Sequence, residues 1–303
     1  MSNETVPQSS DTPIIPFAIA SAILASILFS GKGILAKAAM SHGSSAMGIL
    51  ALRMGFAAPI YATVLFWALR RQKVPGKLLG KSAVLGLLGC YLAPTLNFYG
   101  LGTVSASLER VLIHACPALI LVLAWAYGRQ KITRLVALAL AISYLGVAIS
   151  CLGRDGGNTS ANPTGVIAIL TGCIIYAFFV VHCVEIQKQV GTLIFTSTAM
   201  LASALACLVQ TLFSGTLTAT LHPPSGVIPI ALVLAVFCTA APAYLSSYGM
   251  MILGAGRSAS FSMIGPLLTP LAATAILGER MSVPQIGGFA LVFTGGLLLS
   301  RRG

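Results

Sequence analysis

The chain has 303 residues, 57% of them hydrophobic and only 8% charged, and carries a formal net charge of +12. A soluble protein of this size cannot hide that much apolar surface from water, whereas a bilayer can, since a helix crossing its hydrocarbon core needs about 20 apolar residues. The cations lie at the ends of apolar runs and not along one face, which argues against a nucleic-acid partner, and little length remains for a soluble catalytic domain.

Residues 1–13 are polar, lack Lys and Arg, and read as a cytoplasmic tail and not as a signal peptide. Ten apolar runs follow, at 14–38, 44–69, 82–99, 103–127, 133–152, 164–187, 192–213, 226–250, 258–277 and 282–299. The third is interrupted by Pro94, Asn97 and Gly100 and predicts a short or kinked helix. With the N-terminus inside, the inner connections and tail hold Arg70, Arg71, Lys73, Lys77, Lys81, Arg129, Lys131, Arg134, Lys188, Arg257, Arg301 and Arg302. The outer connections hold only Arg154 and Arg280. That asymmetry predicts that both termini are cytoplasmic. Seven cysteines lie scattered in apolar runs with no C-x-x-C, so neither a zinc site nor a disulfide framework is expected, and no cofactor is.

The chain also repeats itself. Ser105-Ala106-Ser107 at the start of the fourth run is echoed by Ser258-Ala259-Ser260 at the ninth, and Gly146-x-x-x-Ser150 by Gly296-x-x-x-Ser300. The expected organisation is a first repeat at 14–152, a linker at 153–163 and a second repeat at 164–303. Five spans per half is an odd number, so the second half must enter the membrane from the opposite side. Inverted repeats of this kind characterise secondary transporters, whose substrate site lies between the halves near the midplane. The expected fold class is therefore an all-α membrane protein of ten transmembrane helices in two inverted five-helix repeats.

The stretch Ser105-Ala-Ser-Leu-Glu-Arg-Val-Leu-Ile-His-Ala-Cys-Pro117, continuing to Trp125, resembles the fourth-span pattern of EamA-type proteins of the drug/metabolite transporter superfamily. The Gly278-Glu279-Arg280-Met281-Ser282 turn is similar to the turn after their ninth span; the first-half counterpart, Gly128-Arg129-Gln130-Lys131, lacks the acidic residue. The resemblance covers about residues 14–300. It implies a multi-pass exporter of small metabolites in the bacterial inner membrane, with the aromatic amino-acid exporters as the nearest group.

The ionisable residues stranded within spans are the candidate site. Each costs about 2.5–3.5 kcal/mol at the bilayer centre and so requires a partner or a watery cavity. Counting helical rise from the outer side puts Lys32 and Glu109 roughly 9 Å deep, Arg53 roughly 13 Å and His114 roughly 16 Å. Glu109 is expected to pair with Lys32 or Arg53. Arg110 and His114 share a helix face at i and i+4, suited to a proton relay or a substrate contact. A zwitterionic substrate would be gripped ionically by the first half. The second half would then supply an apolar and aromatic wall from Tyr176, Phe178, Phe179, His182, Tyr244, Tyr248 and Phe261, and Tyr91, Asn97 and Tyr99 would add hydrogen bonds. Prolines within the third, fourth, eighth and ninth runs predict cavity-walling helices that bend. The Gly- and Ala-rich fifth and tenth runs predict the periphery or a contact between halves.

No G-x-x-x-x-G-K-[ST] is present, so the drive is expected to be the substrate's own gradient or a proton gradient. An intramembrane enzyme acting on a lipid or small amphiphile is the alternative, but it would need paired aspartates or a Ser–His set, and Asp11 and Asp155 both fall outside the spans. A channel would need a polar ring or filter that two unlike halves do not offer.

Overall fold

The computed structural model describes residues 14–113, 116–128, 133–152, 154–155, 159–160, 162–214, 220–254, 258 and 282–300. Among the described residues, six helices are long and apolar enough to cross a membrane: α1 (Ile14–Ser41), α2 (Ala46–Arg71), α3 (Gly76–Leu101), α7 (Pro163–Val190), α8 (Thr192–Phe213) and α9 (Val227–Leu253). Shorter helices are α4 (Ala106–Ile113) and α5 (Cys116–Ala126), which share the fourth apolar run, with α6 (Arg134–Leu152) and α10 (Val283–Ser300). A two-residue antiparallel pairing, β1 (Arg154–Asp155) with β2 (Thr159–Ser160), lies in the expected linker. The ninth run, apart from Ser258, falls outside the described residues.

Local chemistry sets these boundaries. Ser45 caps α2 by accepting from Gly48 N, and Asn162 caps α7 by accepting from Thr164 N, with Pro163 in the first helical turn. The break between α7 and α8 is a single residue, Gly191, at φ +83°, where an L side chain would be strained.

The third run departs from its expected form. Its helix starts at Gly76 and not Ser82, and runs 26 residues to Leu101. Pro94 does not shorten it, because Leu87–Leu92 widens into a π-helical segment in which Ala93 N–H bonds Leu88 O, five residues back. The same device recurs in α9, where Val236–Ala240 is π-helical and Ala241 N–H bonds Val236 O, one residue before Pro242. A proline removes a backbone donor and crowds the preceding turn; a π turn widens the ladder there without breaking the rod.

Helix pairing obeys an exchange of halves. α1 packs on α9 as α3 packs on α7, and α2 packs on α9 as α8 packs on α3. The pairs α2 with α8 and α6 with α10 map onto themselves under the same exchange. Small residues make the approaches close. A Cβ at Gly172 of α7 would lie 2.9 Å from Ala93 O of α3, and one at Gly249 of α9 would lie 3.4 Å from Ala18 O of α1. A Cβ at Gly288 of α10 would overlap Gly146 O and Ser150 of α6. The fifth and tenth runs thus form a contact between the halves, one of the two placements expected for them. Large apolar side chains on the outside, such as Phe17, Ile167, Leu205 and Phe237, face where hydrocarbon would lie.

Candidate functional site

A cavity of about 300 Å³ lies among α1, α2, α3, α5, α7, α8 and α9, with α4 touching it at Ile113. Both halves therefore wall it, and among the described residues α6 and α10 contribute nothing to it. The first half supplies the charge. Lys32, on α1 between two glycines, projects its Nζ to 3.1 Å from Asn97 Oδ1 and 3.6 Å from Glu109 Oε1. Glu109 is fully enclosed, whereas Lys32 is 15% exposed and lines the cavity. The choice left open by the sequence is thereby resolved in favour of Lys32.

Arg53 lines the same cavity from α2 and is buried. Its guanidinium lies over the Phe98 ring, 5.1 Å from the centroid, and the Lys32 ammonium lies 5.5 Å from that centroid. Phe98 thus shares its ring between two cations, a favourable arrangement for a desolvated charge. Arg53 Nη2 also reaches Met54 Sδ at 3.8 Å, while its Nε is buried without a hydrogen-bond partner among the described residues.

The second half's wall keeps Tyr176 and Phe179 of the expected aromatic surface and adds hydroxyls to it. Tyr176, Phe179 and Phe195 supply the aromatic part, and Thr196, Thr239, Ser246 and Ser247 supply hydroxyls. Thr196 Oγ1 donates to Ser247 Oγ at 2.6 Å, and Gln187 Nε2 donates to Ser247 O at 2.9 Å, tying α8 and α7 to α9 behind this wall.

Of the expected residues, Lys32, Arg53, Asn97, Tyr176 and Phe179 line the cavity, and Glu109 joins it through Lys32. The others are placed elsewhere. Tyr99 is 49% exposed and off the wall, two residues past the cavity-lining Asn97 and so about 200° around the helix from it. Tyr244 shares a 2.7 Å hydrogen bond with Ser197 and packs against Tyr61, with 5.6 Å between ring centroids. Tyr248 packs edge-on against Phe17 at 5.5 Å. His182 Nδ1 is 2.8 Å from Phe178 O, and its ring stands edge-on to Tyr127 at 4.8 Å, two residues past the cavity-lining Val180 but off the wall itself. Tyr91 reaches Gln210 at 3.3 Å instead of the cavity. The Arg110 side chain, His114 and Phe261 lie outside the described residues. The hydroxyl wall was missed because Ser and Thr in apolar helices usually bond the preceding turn. Its one visible signal was the clustering of Thr196-Ser197 and Ser246-Ser247 in the middle of apolar runs.

The cavity's composition, a few charges set in an apolar and hydroxyl wall shared by two halves, is one that binds a small polar solute. The model of the EamA-like transporter family matches residues 16–152 and 163–301, one copy in each half. The chain belongs to the EamA-like transporter family. As an EamA-like protein it is a multi-pass membrane transporter built from two repeats. It is 28% identical over 284 residues, 90% of each chain, to the uncharacterized transporter YcbK of Bacillus subtilis. It is also 28% identical over 145 residues to the uncharacterized inner membrane transporter YedA of Escherichia coli, covering 46% of this chain and 47% of that one. A protein of known crystal structure, 18% identical, superposes with a TM-score of 0.64 over 94% of this EamA-like chain and 98% of its own, a likeness of fold.

Proposed function

We propose that this EamA-like protein exports small metabolites across the bacterial inner membrane, foremost amino acids with aromatic or other apolar side chains. Transport proceeds by alternating access, with the two five-helix halves inverted, both termini cytoplasmic and residues 1–13 as a cytoplasmic tail. The observation that carries this reading is the cavity shared by both halves, with Lys32 and Arg53 on the first-half wall and aromatic rings and hydroxyls on the second.

A substrate carboxylate would be taken by the Arg53 guanidinium, which has no carboxylate within 4 Å among the described residues. The substrate ammonium would be accepted by hydroxyls such as Thr196 and Ser246, and the side chain would lie against Phe179, Phe195 and Met200. A cavity of this size is at the lower end of the about 300–1,000 Å³ found for small-molecule sites, in keeping with a single amino acid. The exchange symmetry of helix pairing and the recurrence of a π segment before a proline in each half support two equivalent repeats. An odd number of spans per repeat then requires inversion. The drive is the substrate's own gradient or a proton gradient.

Counterflow in proteoliposomes with a panel of labelled amino acids, with and without a pH gradient, tests the proposal. Accumulation of apolar and aromatic amino acids, but not of their decarboxylated amines, is expected. Equal accumulation of the amines, or of none of the panel, overturns the substrate assignment.

A further inference from the structure

The C-terminal end of α2 carries two cation–ring pairs that the transport cavity does not use. Arg70 Cζ lies 4.2 Å from the centroid of the Phe66 ring, and Arg71 Cζ lies 4.2 Å from that of Trp67. All four side chains are exposed, Phe66 and Trp67 by 57% and 59%. Lys73, Lys77 and Lys81 follow within the next ten positions and are exposed as well. No Asp or Glu occurs between Asp11 and Glu109, and Glu109 is enclosed at the cavity, so this segment carries no counter-charge of its own.

We propose that this surface is a binding site for an anionic phospholipid headgroup. A guanidinium held over an aromatic ring gives up rotamer freedom in advance, and its planar N–H fork suits a phosphodiester. The outer faces of Phe66 and Trp67 lie one helical turn toward the membrane interior from that fork, where the glycerol and upper acyl chain of the same lipid would rest. The lysines on the α2–α3 connection and the first turns of α3 close the headgroup's other side. Arg70 and Arg71 also complement the helix C-terminus, but that role needs charge alone and not the rings.

The test uses the full-length protein in nanodiscs of phosphatidylcholine doped with phosphatidylglycerol. The readout is the ratio of the two lipids that stay bound on release into the gas phase of a mass spectrometer. The wild-type protein is expected to retain phosphatidylglycerol preferentially. An Arg70→Gln/Arg71→Gln variant is expected to lose about fivefold of that preference per charge, about 25-fold in all. An Arg70→Lys/Arg71→Lys variant keeps the charge, and with it membrane insertion, yet is expected to lose at least threefold because lysine is a point charge without a planar donor fork. Inorganic phosphate in excess should leave the preference unchanged if the headgroup is held together with its acyl chains, and displacement by it overturns a lipid site. Absence of preference in the wild type, or full preference in the double lysine variant, overturns the proposal.

Discussion

The Lys32 ammonium sits 3.6 Å from the Glu109 carboxylate, joining α1 to α4, and only the lysine reaches the cavity. The carboxylate is therefore held behind the wall and is joined to the cavity through Lys32. Breaking a fully buried pair by removing one partner costs about 3–5 kcal/mol, because the other charge is left uncompensated; the 15% exposure of Lys32 lowers this. Lys32→Ala is thus expected to lower the thermal stability of purified protein more than Glu109→Gln does, since it strands the wholly enclosed member. Both are expected to reduce efflux strongly. The double variant Lys32→Met/Glu109→Gln should recover most of the stability and none of the transport. Recovery of transport along with stability would assign the pair to packing alone.

Arg53 should behave differently from Lys32, because it meets no carboxylate within 4 Å among the described residues and rests on Phe98. Losing a hydrogen bond to a charged group costs about 1.5–3 kcal/mol. Arg53→Gln is expected to raise KM for carboxylate substrates roughly 10- to 100-fold with little change in melting temperature, measured by initial rates in proteoliposomes. An unchanged KM would show that the substrate carboxylate binds elsewhere.

The membrane class, the two repeats and the stranded charges were legible in the sequence, because a bilayer imposes length and polarity on every span. Lys32, Arg53 and Glu109 stand out for the same reason: their cost is visible without neighbours. The wall was legible only in part, at Asn97, Tyr176 and Phe179. A tyrosine in an apolar run points to cavity, neighbour or lipid according to helix rotation, and the π segments shift that rotation by part of a turn in α3 and α9. Tyr99 and Tyr248 lie beyond these segments and face away from the cavity wall. Pro94 and Pro242 announced irregularity, but whether a proline kinks a helix or is absorbed by a π turn depends on the helices packed around it.

Gly89 tests how closely the cavity wall is fitted. It lies in the π segment of α3, and a Cβ there would overlap the Phe179 ring of α7 near its root, where the side chain has little freedom to move away. Gly89→Ala is expected to destabilise by about 1–3 kcal/mol, the range for overpacking, and to slow transport by pushing Phe179 into the cavity. Gly89→Ala/Phe179→Leu should regain stability beyond the sum of the single changes, as a thermal-shift double-mutant cycle would report. Additive effects would show that the two residues do not meet.

The α6–α10 contact predicts a different phenotype. Gly288 faces Gly146 O and Ser150, and Gly295 faces Ala139 O and Ser143, so backbone lies where a side chain would go. Neither helix lines the cavity among the described residues. Gly288→Leu is expected to reduce folded yield and melting temperature sharply, while KM of the surviving protein stays unchanged, as size-exclusion profiles and counterflow would show. A changed KM with an intact fold would give these helices a part in binding.

The paired π segments carry the last prediction. Pro94 and Pro242 each follow a π segment by one residue, and Ala93 and Ala241 each bond five residues back. An alanine at either site restores the missing N–H and favours an ordinary α turn. Taking the extra residue out of the wide turn would rotate the rest of the helix by about 100°, the angle per residue at 3.6 per turn. In α3 that rotation would carry Asn97 away from Lys32, so packing opposes it, and the segment is held between two competing registers. A helix in that condition bends at low cost, which alternating access needs from a cavity-lining helix. Pro94→Ala and Pro242→Ala are therefore expected to leave melting temperature equal or higher and to slow turnover at least tenfold. Amide exchange is expected to slow at Leu87–Leu92 in the first variant and at Val236–Ala240 in the second. Wild-type turnover in both variants, with exchange slowed as expected, would show that these segments shape the cavity without taking part in its opening.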